Sequence, residues 1–202
     1  MHRRLDRPTT PAVFVSVVAF AAIALSGCGG ASSSSGDSSG SGLVPGLGLV
    51  KTIPLAQRGR PLDLSGTDLH GRHLDLSSYR GRVVVINIWG SWCGECRGEA
   101  NGLESVAKKM SAQGVEFLGI DSRDPQIVPP QQFVKDHKVS YPSLYDPTGA
   151  LLLKFPKGLF SPQFLPTTLV LDREGRPASV ALRTVTSDEL TRMLTPALAE
   201  KP

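Results

Sequence analysis

The chain has 202 residues, 40% of them hydrophobic and 20% charged, which suits one compact domain with non-globular additions and gives no sign of several domains. The formal net charge of +4 falls to +2 without residues 1–27, because that segment holds three arginines and one aspartate. With 6% aromatic residues and no basic run in the remaining chain, the composition gives no support to nucleic-acid binding.

The first 27 residues are organised like an export signal. A basic front is followed by an apolar run over residues 11–25, shorter than the about 20 residues that a transmembrane helix needs, and then by LSGC, which ends at Cys28. LSGC resembles the lipobox of bacterial lipoproteins, in which the chain is cut before the cysteine and a diacylglycerol is attached to its sulfur. We therefore expect residues 1–27 to be a lipoprotein signal peptide and Cys28 to be lipidated, with ordinary signal cleavage nearby as the alternative.

The segment after Cys28 predicts a tether. Its sequence GGASSSSGDSSGSG has no apolar face to bury and is typical of a flexible linker. Residues 43–60 are apolar but rich in Gly and Pro, so we expect no firm secondary structure there. We place the lipidated cysteine, tether and lead-in at 28–54 and the folded domain at 55–202.

A regular pattern begins at residue 61. The stretch LDLSGTDLHGRHLDLSSYRGR alternates around a His-Gly turn, which predicts a short hairpin. The run RVVVINIW is continuously apolar and predicts a buried central strand over residues 82–89. WGSWCGECRGE follows, and the helical spacing of apolar residues after it predicts a helix over 94–112.

The rest of the chain alternates strands with helices. VEFLGID predicts a second buried strand, and SLYD predicts a short third one. Helices are predicted over residues 131–137 and 150–155. TTLVLD and PASVALR predict two strands that turn at Glu174 and Gly175, and Ser187 can cap a final helix that begins at Asp188. This order predicts a three-layer α/β domain.

The two cysteines of WCGEC have the spacing of a redox pair. At an exposed helix start, Cys93 would have its thiolate stabilised by unpaired backbone N–H groups and by the helix dipole. Cys96, one turn later, could close a disulfide with Cys93 and release a mixed-disulfide partner. If Cys28 carries lipid, these are the only two thiols, in an exported and hence potentially oxidising compartment.

Two other interpretations of the pair stay open at this point. His70 and His73 could complete a tetrahedral zinc site with the two cysteines, although they fall in a predicted surface turn. A purely structural disulfide is also possible, but so small a loop constrains the unfolded chain very little.

The segment NIWGSWCGECRGE resembles the active-site segment of the thioredoxin superfamily, and most closely its TlpA/ResA-like branch of membrane-anchored bacterial thiol-disulfide oxidoreductases. FLPTT at residues 164–168 matches the position of that fold's cis-proline. About 45 residues separate Asp121 from Pro166, which fits the extra strand and helix of this branch. The resemblance covers about residues 55–200 and implies a three-layer thioredoxin-like fold with an N-terminal hairpin and an inserted strand-helix unit.

The resemblance also implies roles for the residues of the motif. Cys93 matches the attacking thiol, Cys96 the resolving thiol and Glu99 a helix acid that tunes proton transfer from the thiols. Asn87 stands where thioredoxin carries a buried aspartate, so the acid has moved to another element. The alternative for Glu99 is a solvated carboxylate that merely favours the helix dipole.

Further residues are implied in contacts with the substrate. Trp92 would shield the sulfurs, and Gly94 and Glu95 form the intervening dipeptide, where relatives commonly carry Gly-Pro or Glu-Pro. Pro166 matches the cis-proline, which leaves the backbone of Leu165 free to pair with a bound substrate strand.

The function that the resemblance implies is reduction of disulfides in exported proteins, such as apocytochrome c, on the extracytoplasmic face of the membrane. The expected partners are exported thiols or disulfides and a membrane electron donor of the CcdA/DsbD type, and the Cys93–Cys96 disulfide would act with no metal or other cofactor. The alternatives are an oxidase that forms disulfides and a non-enzymatic lipid-anchored binding module. A peroxiredoxin-like peroxidase is disfavoured because Gly90 stands where those enzymes carry Thr or Ser.

Overall fold

The computed structural model describes residues 50–200, in which a six-stranded sheet and a separate hairpin combine with three α-helices. The sheet has the strand order β1-β8-β7-β4-β5-β6, and β2 and β3 form the hairpin. The bounds are β1 Val50–Thr52, β2 Ser65–Thr67, β3 His73–Asp75, β4 Val83–Trp89, α1 Gly94–Met110, β5 Val115–Ser122, α2 Val128–Asp136, β6 Ser143–Asp146, β7 Thr167–Leu171, β8 Pro177–Ala181 and α3 Ser187–Ala199.

Strand β4 lies inside the sheet, as its continuous apolar sequence predicts. All seven of its residues are buried, and it pairs in parallel with β5 and antiparallel with β7. Its side chains alternate between two cores. Val83 and Val85 pack with residues of α1 and α3, whereas Val84, Ile86 and Ile88 face the other side of the sheet.

The three α-helices lie on one face of the sheet. Helices α1 and α3 share a core built from their apolar stripes, with Leu103 and Leu190 among its fully buried members. Helix α2 joins this face through Phe133, whose ring stacks on Trp89 at a centroid distance of 4.3 Å. The carboxyl end of β4 is therefore covered by both α1 and α2.

The hairpin and two 3-10 helices, Leu76–Tyr79 and Leu151–Lys154, cover the opposite face. The three-layer prediction is confirmed, but the helix predicted over 150–155 is a 3-10 helix. Pro147 and Pro156 bracket this segment, and Gly149 has a φ of +75° in the turn before it, which leaves no room for a longer helix.

The hairpin forms where it was predicted and is attached to the edge of the sheet. Its turn is held by Asp68, whose carboxylate accepts hydrogen bonds from the N–H groups of His70 and Arg72, both at 2.8 Å. Asp68 also forms an antiparallel bridge with Leu144 of β6. The hairpin turn thereby lies beside the strand of the inserted unit.

The inserted strand-helix unit consists of α2 and β6. Strand β6 pairs in parallel with β5 at the edge of the sheet. Helix α2 begins at Val128, three residues before the predicted start, because Pro129 and Pro130 occupy its first turn, where a missing N–H costs nothing.

The prediction of no firm secondary structure over residues 43–60 is wrong in part. Strand β1 pairs antiparallel with β8, and Leu55–Gln57 form a 3-10 helix. The sheet therefore begins ahead of residue 55, since the free edge of β8 supplies a partner that the local sequence does not reveal. The predicted signal peptide, Cys28 and the Gly/Ser-rich tether lie outside the described residues.

The start of α3 also differs from its prediction. Thr186, not Ser187, is the N-cap, and its hydroxyl accepts from the N–H of Glu189 while the Glu189 carboxylate accepts from the N–H of Thr186. This reciprocal pair is a capping box. Within residues 50–200, no helix has the length and apolar character needed to cross a membrane.

Candidate active site

The two cysteines lie where the central strand passes into the first helix, and they form a disulfide with a Cα–Cα distance of 5.3 Å. Cys93 is the N-cap of α1, and its Sγ accepts a hydrogen bond from the N–H of Cys96 at 3.1 Å. The same sulfur therefore faces the free N–H groups of the helix start, an arrangement that stabilises a thiolate once the disulfide is reduced.

The disulfide is more buried than the sequence predicts. Cys93 is 6% exposed and Cys96 2% exposed, so the expectation of an exposed Cys93 is wrong for this oxidised form. The cause is tertiary: the cysteines belong to an apolar cluster with residues of the hairpin turn, β4, α1 and α2, namely Leu69, Trp89, Ala100 and Phe133.

Glu99 lies on α1 and is buried, with 5% of its surface exposed. It stands three residues after Cys96, so the two side chains share one face of the helix. Its Oε1 accepts from the Asn87 amide at 2.9 Å and its Oε2 from the N–H of Val185 at 3.0 Å. Burial outweighs these two hydrogen bonds and raises the pKa of Glu99 to about 7. Glu99 is therefore not a solvated surface carboxylate.

Asn87 connects the central strand to this acid. Its side-chain amide donates to Glu99 and also lies 3.3 Å from the hydroxyl of Thr168 on β7. From the resemblance to thioredoxin, we could predict only that the acid had moved from the strand, at Asn87, to the helix, at Glu99. In the structure they are direct partners, so the amide on β4 orients the acid on α1.

Pro166 follows a cis peptide bond from Leu165, as its position in FLPTT predicts. The Leu165 side chain packs against the cluster that contains both cysteines. Among the described residues, no hydrogen-bond partner is found for the backbone N–H or C=O of Leu165. This backbone is available to pair with an extended peptide, the geometry in which main-chain hydrogen bonds supply affinity.

Trp92, Gly94 and Glu95 are the exposed part of the motif. Trp92 is 50% exposed, and its indole lies over Gly90 and 5.0 Å from the guanidinium carbon of Arg123. The tryptophan in the buried cluster around the sulfurs is Trp89, so Trp92 forms part of the surface around the site. Gly94 and Glu95 occupy the first turn of α1 and leave it open to a substrate.

His70 and His73 lie at a different place. They line a cavity of about 390 Å³ between the hairpin and the α2–β6 connection, and neither cysteine lines it. Within residues 50–200, no group of three or more His, Cys, Asp or Glu side chains is arranged to hold a metal ion. With both sulfurs in a disulfide, the structure does not bring the proposed zinc ligands together.

Several residues that the sequence analysis did not identify hold the segment before Cys93. The N–H and hydroxyl of Ser91 both donate to the Asp124 carboxylate, each at 2.7 Å, and the Arg97 guanidinium donates to the Ser91 carbonyl. Asp121 lies near the carboxyl end of β5 and Asp124 follows it, beside the strand that precedes the cysteines. Because the carboxyl ends of neighbouring parallel strands meet at one edge of a sheet, their position in the sequence could have predicted that they lie near the cysteines.

Comparison with known proteins assigns this arrangement to a family. The model of the AhpC/TSA family matches residues 59–176, which include both cysteines and the cis-proline. The chain belongs to the AhpC/TSA family. The thiol-disulfide oxidoreductase ResA of Geobacillus kaustophilus (strain HTA426) is 30% identical over 128 residues, covering 63% of this chain and 70% of ResA. ResA of Bacillus subtilis (strain 168) is 30% identical over 119 residues, 59% of this chain and 63% of that protein.

Solved structures that resemble this AhpC/TSA protein include thiol-disulfide exchange proteins. A secreted thiol-disulfide isomerase from Corynebacterium glutamicum is 35% identical, with a TM-score of 0.69 over 77% of this chain and 95% of that one. A DsbF homologue from Corynebacterium diphtheriae is 34% identical, with a TM-score of 0.66 over 75% and 95%. The chain is a thiol-disulfide oxidoreductase with the thioredoxin-like fold.

Proposed function

We propose that the protein reduces disulfides of exported proteins at the extracytoplasmic face of the membrane, with Cys93 as attacking thiol and Cys96 as resolving thiol. The observation that carries the direction of electron flow is the buried Glu99 on the helix of the dithiol. A carboxylate in a poorly solvated site disfavours a second negative charge beside it. Glu99 therefore destabilises the thiolate of the reduced form, which favours the disulfide and makes the protein a reductant.

The reaction transfers two electrons to the client. The Cys93 thiolate attacks one sulfur of the client disulfide, the client S–S bond breaks, and a client thiolate leaves. Cys96 then loses its proton to the Glu99 carboxylate and attacks the Cys93 sulfur, which releases the second client thiolate and forms the Cys93–Cys96 disulfide. A membrane electron donor of the CcdA/DsbD type would reduce that disulfide again.

The reduction potential tests the direction. Equilibration of the purified domain with glutathione buffers should give a value near the about −270 mV of thioredoxin, and a value near the about −120 mV of DsbA would instead identify an oxidase that forms disulfides. The Cys93→Ser variant serves as control because it has no dithiol to titrate.

Client identity is tested by trapping. The Cys96→Ser variant retains the attacking thiol but lacks the resolving one, so its mixed disulfides should accumulate in the native host. We expect exported cysteine pairs such as those of apocytochrome c among the trapped partners, and the Cys93→Ser variant should trap none. Recovery of equal amounts of partner through Cys93→Ser would indicate a binding module whose dithiol is not used.

The location that we propose rests on LSGC and on relatives that include a secreted enzyme. A diacylglycerol supplies two acyl chains, which hold a protein on a membrane where one chain binds only marginally. The full-length protein should stay with membranes after a salt wash, and the Cys28→Ala variant should be released from them once its signal is removed. Retention of processed Cys28→Ala protein in the membrane fraction would exclude lipid anchoring.

A further inference from the structure

Ser91 is bound through all three of its polar groups, although it lies in the loop between β4 and α1. Its N–H and hydroxyl donate to Asp124, and its carbonyl accepts from Arg97. Ser91 and Asp124 are 7% and 4% exposed, so these hydrogen bonds are protected from water. Since Ser91 stands two residues before Cys93, Asp124 determines the path by which the chain reaches the attacking sulfur.

A second carboxyl lies behind this contact. Asp121 stands opposite Trp89 in the β4–β5 register and is fully buried. Among the described residues, no group donates a hydrogen bond to either carboxylate oxygen of Asp121. Burial, followed by the hydrogen bond and negative charge of Asp124 and the charge of Asp146, raises the pKa of Asp121 to about 9. With its proton, Asp121 is a hydrogen-bond donor beside Asp124.

The groups around Asp121 come from each neighbouring element. Strand β6 contributes Asp146 and Tyr145, whose hydroxyl donates to the Asp124 carbonyl at 3.0 Å. Arg123, directly before Asp124, packs on Trp92, and His137, directly after α2, packs on the ring of Phe133. Two carboxylates that share such a site do not both ionise easily, so one proton on the pair is the favoured state at neutral pH.

We propose that Asp121 and Asp124 are positioning residues for Cys93. The protonated Asp121 leaves Asp124 as the charged acceptor that holds Ser91, and loss of the Asp121 proton drives the two carboxylates apart and releases residues 90–92. The link to activity rests on the proposed role of Cys93 as the attacking thiol. The structural part of the proposal does not depend on any client.

The first test uses the oxidised protein, in which neither sulfur titrates. The amide signals of Ser91 and Trp92 are followed by NMR between pH 6 and 10.5. In the wild type we expect both to shift together with a midpoint near pH 9, and in Asp121→Asn, which keeps the shape but cannot ionise, the shift should be absent. The Asp63→Asn variant removes an exposed aspartate elsewhere, and Tyr145→Phe removes the neighbouring phenol; both should keep the transition. A transition that persists in Asp121→Asn, or a wild type without one, overturns the proposal.

The second test connects the pair to chemistry. In the reduced protein at pH 7, Asp124→Asn and the milder Ser91→Ala should slow alkylation of Cys93, by about tenfold for Asp124→Asn, because a charge-assisted hydrogen bond is lost. We expect client reduction by the wild type to fall between pH 8 and 10, and Asp121→Asn should flatten this loss. Unchanged Cys93 alkylation in both Asp124→Asn and Ser91→Ala contradicts the positioning role. If the NMR transition is present but no variant, wild type included, reduces a client disulfide, the proposed function fails and the structural inference stands.

Discussion

Glu99 shows how burial and hydrogen bonding compete at a single residue. Two donors, the Asn87 amide and the N–H of Val185, stabilise its charged form, yet desolvation is the larger effect and the pKa rises to about 7. An acid with this pKa is half ionised near neutrality, where it can both accept and return a proton. That is the requirement for proton exchange with a thiol in each catalytic cycle.

Replacing Glu99 with Gln keeps the shape and removes the charge. Because the folded pKa lies above the usual 4.5, the contribution of Glu99 to stability is fully present below pH 4.5 and is lost as the pH rises to 7. We compare the free energy of unfolding of Glu99→Gln with that of the wild type at each pH. This difference should be about 3 kcal/mol more favourable to the variant at pH 8 than at pH 4. Denaturant unfolding at the two pH values measures this.

The same variant should change the thiol chemistry. Without the carboxylate, the reduced Cys93 should ionise at lower pH, and release of mixed disulfides near neutral pH should be slower because the proton acceptor is missing. Glu95→Gln, which removes an exposed charge from the same helix, should have a smaller effect on both. If Glu99→Gln and wild type agree in thiol titration and turnover, Glu99 has no part in the reaction.

Gly90 shows why a position near the site must lack a side chain. A Cβ at this position would lie 2.7 Å from the Trp92 Nε1 and 3.2 Å from the Ser122 carbonyl oxygen. Peroxidases of the related peroxiredoxins carry a hydroxyl residue here, which this packing does not accommodate. The indole of Trp92 thus occupies the place that a Thr or Ser side chain would need.

Gly90→Ala is expected to displace Trp92 rather than to unfold the protein, since the indole is half exposed and can move. Trp92 emission and its contact with Arg123 should change, and the free energy of unfolding should fall by about 1 kcal/mol. In the Trp92→Ala background the same substitution should cost less, which a double-mutant cycle measures. Equal costs in both backgrounds would indicate that the Ser122 carbonyl, not Trp92, sets the restriction.

Among the elements, the starts of α2 and α3 differ from their predictions, whereas α1 begins at the predicted Gly94. Both Thr186 and Ser187 are good N-cap residue types, but only Thr186 has a Glu three residues later, which is the sequence signal of a capping box. The structure confirms Thr186 as the cap, and the Ser187 hydroxyl instead donates to the carbonyl of Gly102 on α1. The cap therefore depends partly on the packing of α3 on α1.

Thr186→Ala should destabilise the protein by about 1 kcal/mol, the usual cost of a lost cap. Ser187→Ala, one residue later, should cost about 0.5 kcal/mol or less because it removes a single long hydrogen bond of 3.3 Å. Thermal or denaturant unfolding of the two variants compares them directly. A larger loss for Ser187→Ala would reverse this assignment of the cap.

At the scale of the whole molecule, a buried ion-pair network joins distant parts of the chain. Arg58, 6% exposed, donates to Asp172 in the β7–β8 turn at 3.0 Å and to Glu200 after α3 at 2.6 and 2.7 Å. Burial alone would raise the pKa of Asp172, but hydrogen bonds from the Arg176 N–H and from both guanidinium groups outweigh it and hold the pKa below its usual value. The network connects the segment before β2 with the β7–β8 turn and the end of α3.

Arg58→Met should destabilise the domain by about 2 kcal/mol, because the buried Asp172 carboxylate loses one of its two guanidinium partners and keeps only Arg176. Arg60→Met, at an exposed position two residues away, should change stability little. Since the Asp172 pKa is lowered, the pairing contributes above the pH at which an unfolded aspartate titrates and is lost as the pH falls below it. The difference between Arg58→Met and wild type should accordingly shrink in unfolding experiments below about pH 4.

Features that depend on local pattern could be predicted from the residues alone: the buried β4, the helix after Cys93, the hairpin, the inserted unit and the redox spacing of the cysteines. Apolar runs, helical periodicity and turn residues act over a few positions and can be seen without the fold. Four features depend on packing and could not be predicted: the pairing of β1 with β8, the contact of Asn87 with Glu99, the burial of the disulfide and the hydrogen bonds from Ser91 to Asp124. Each of these joins residues from different elements, and their hydrogen bonds and desolvation exist only once the strands and helices have packed together.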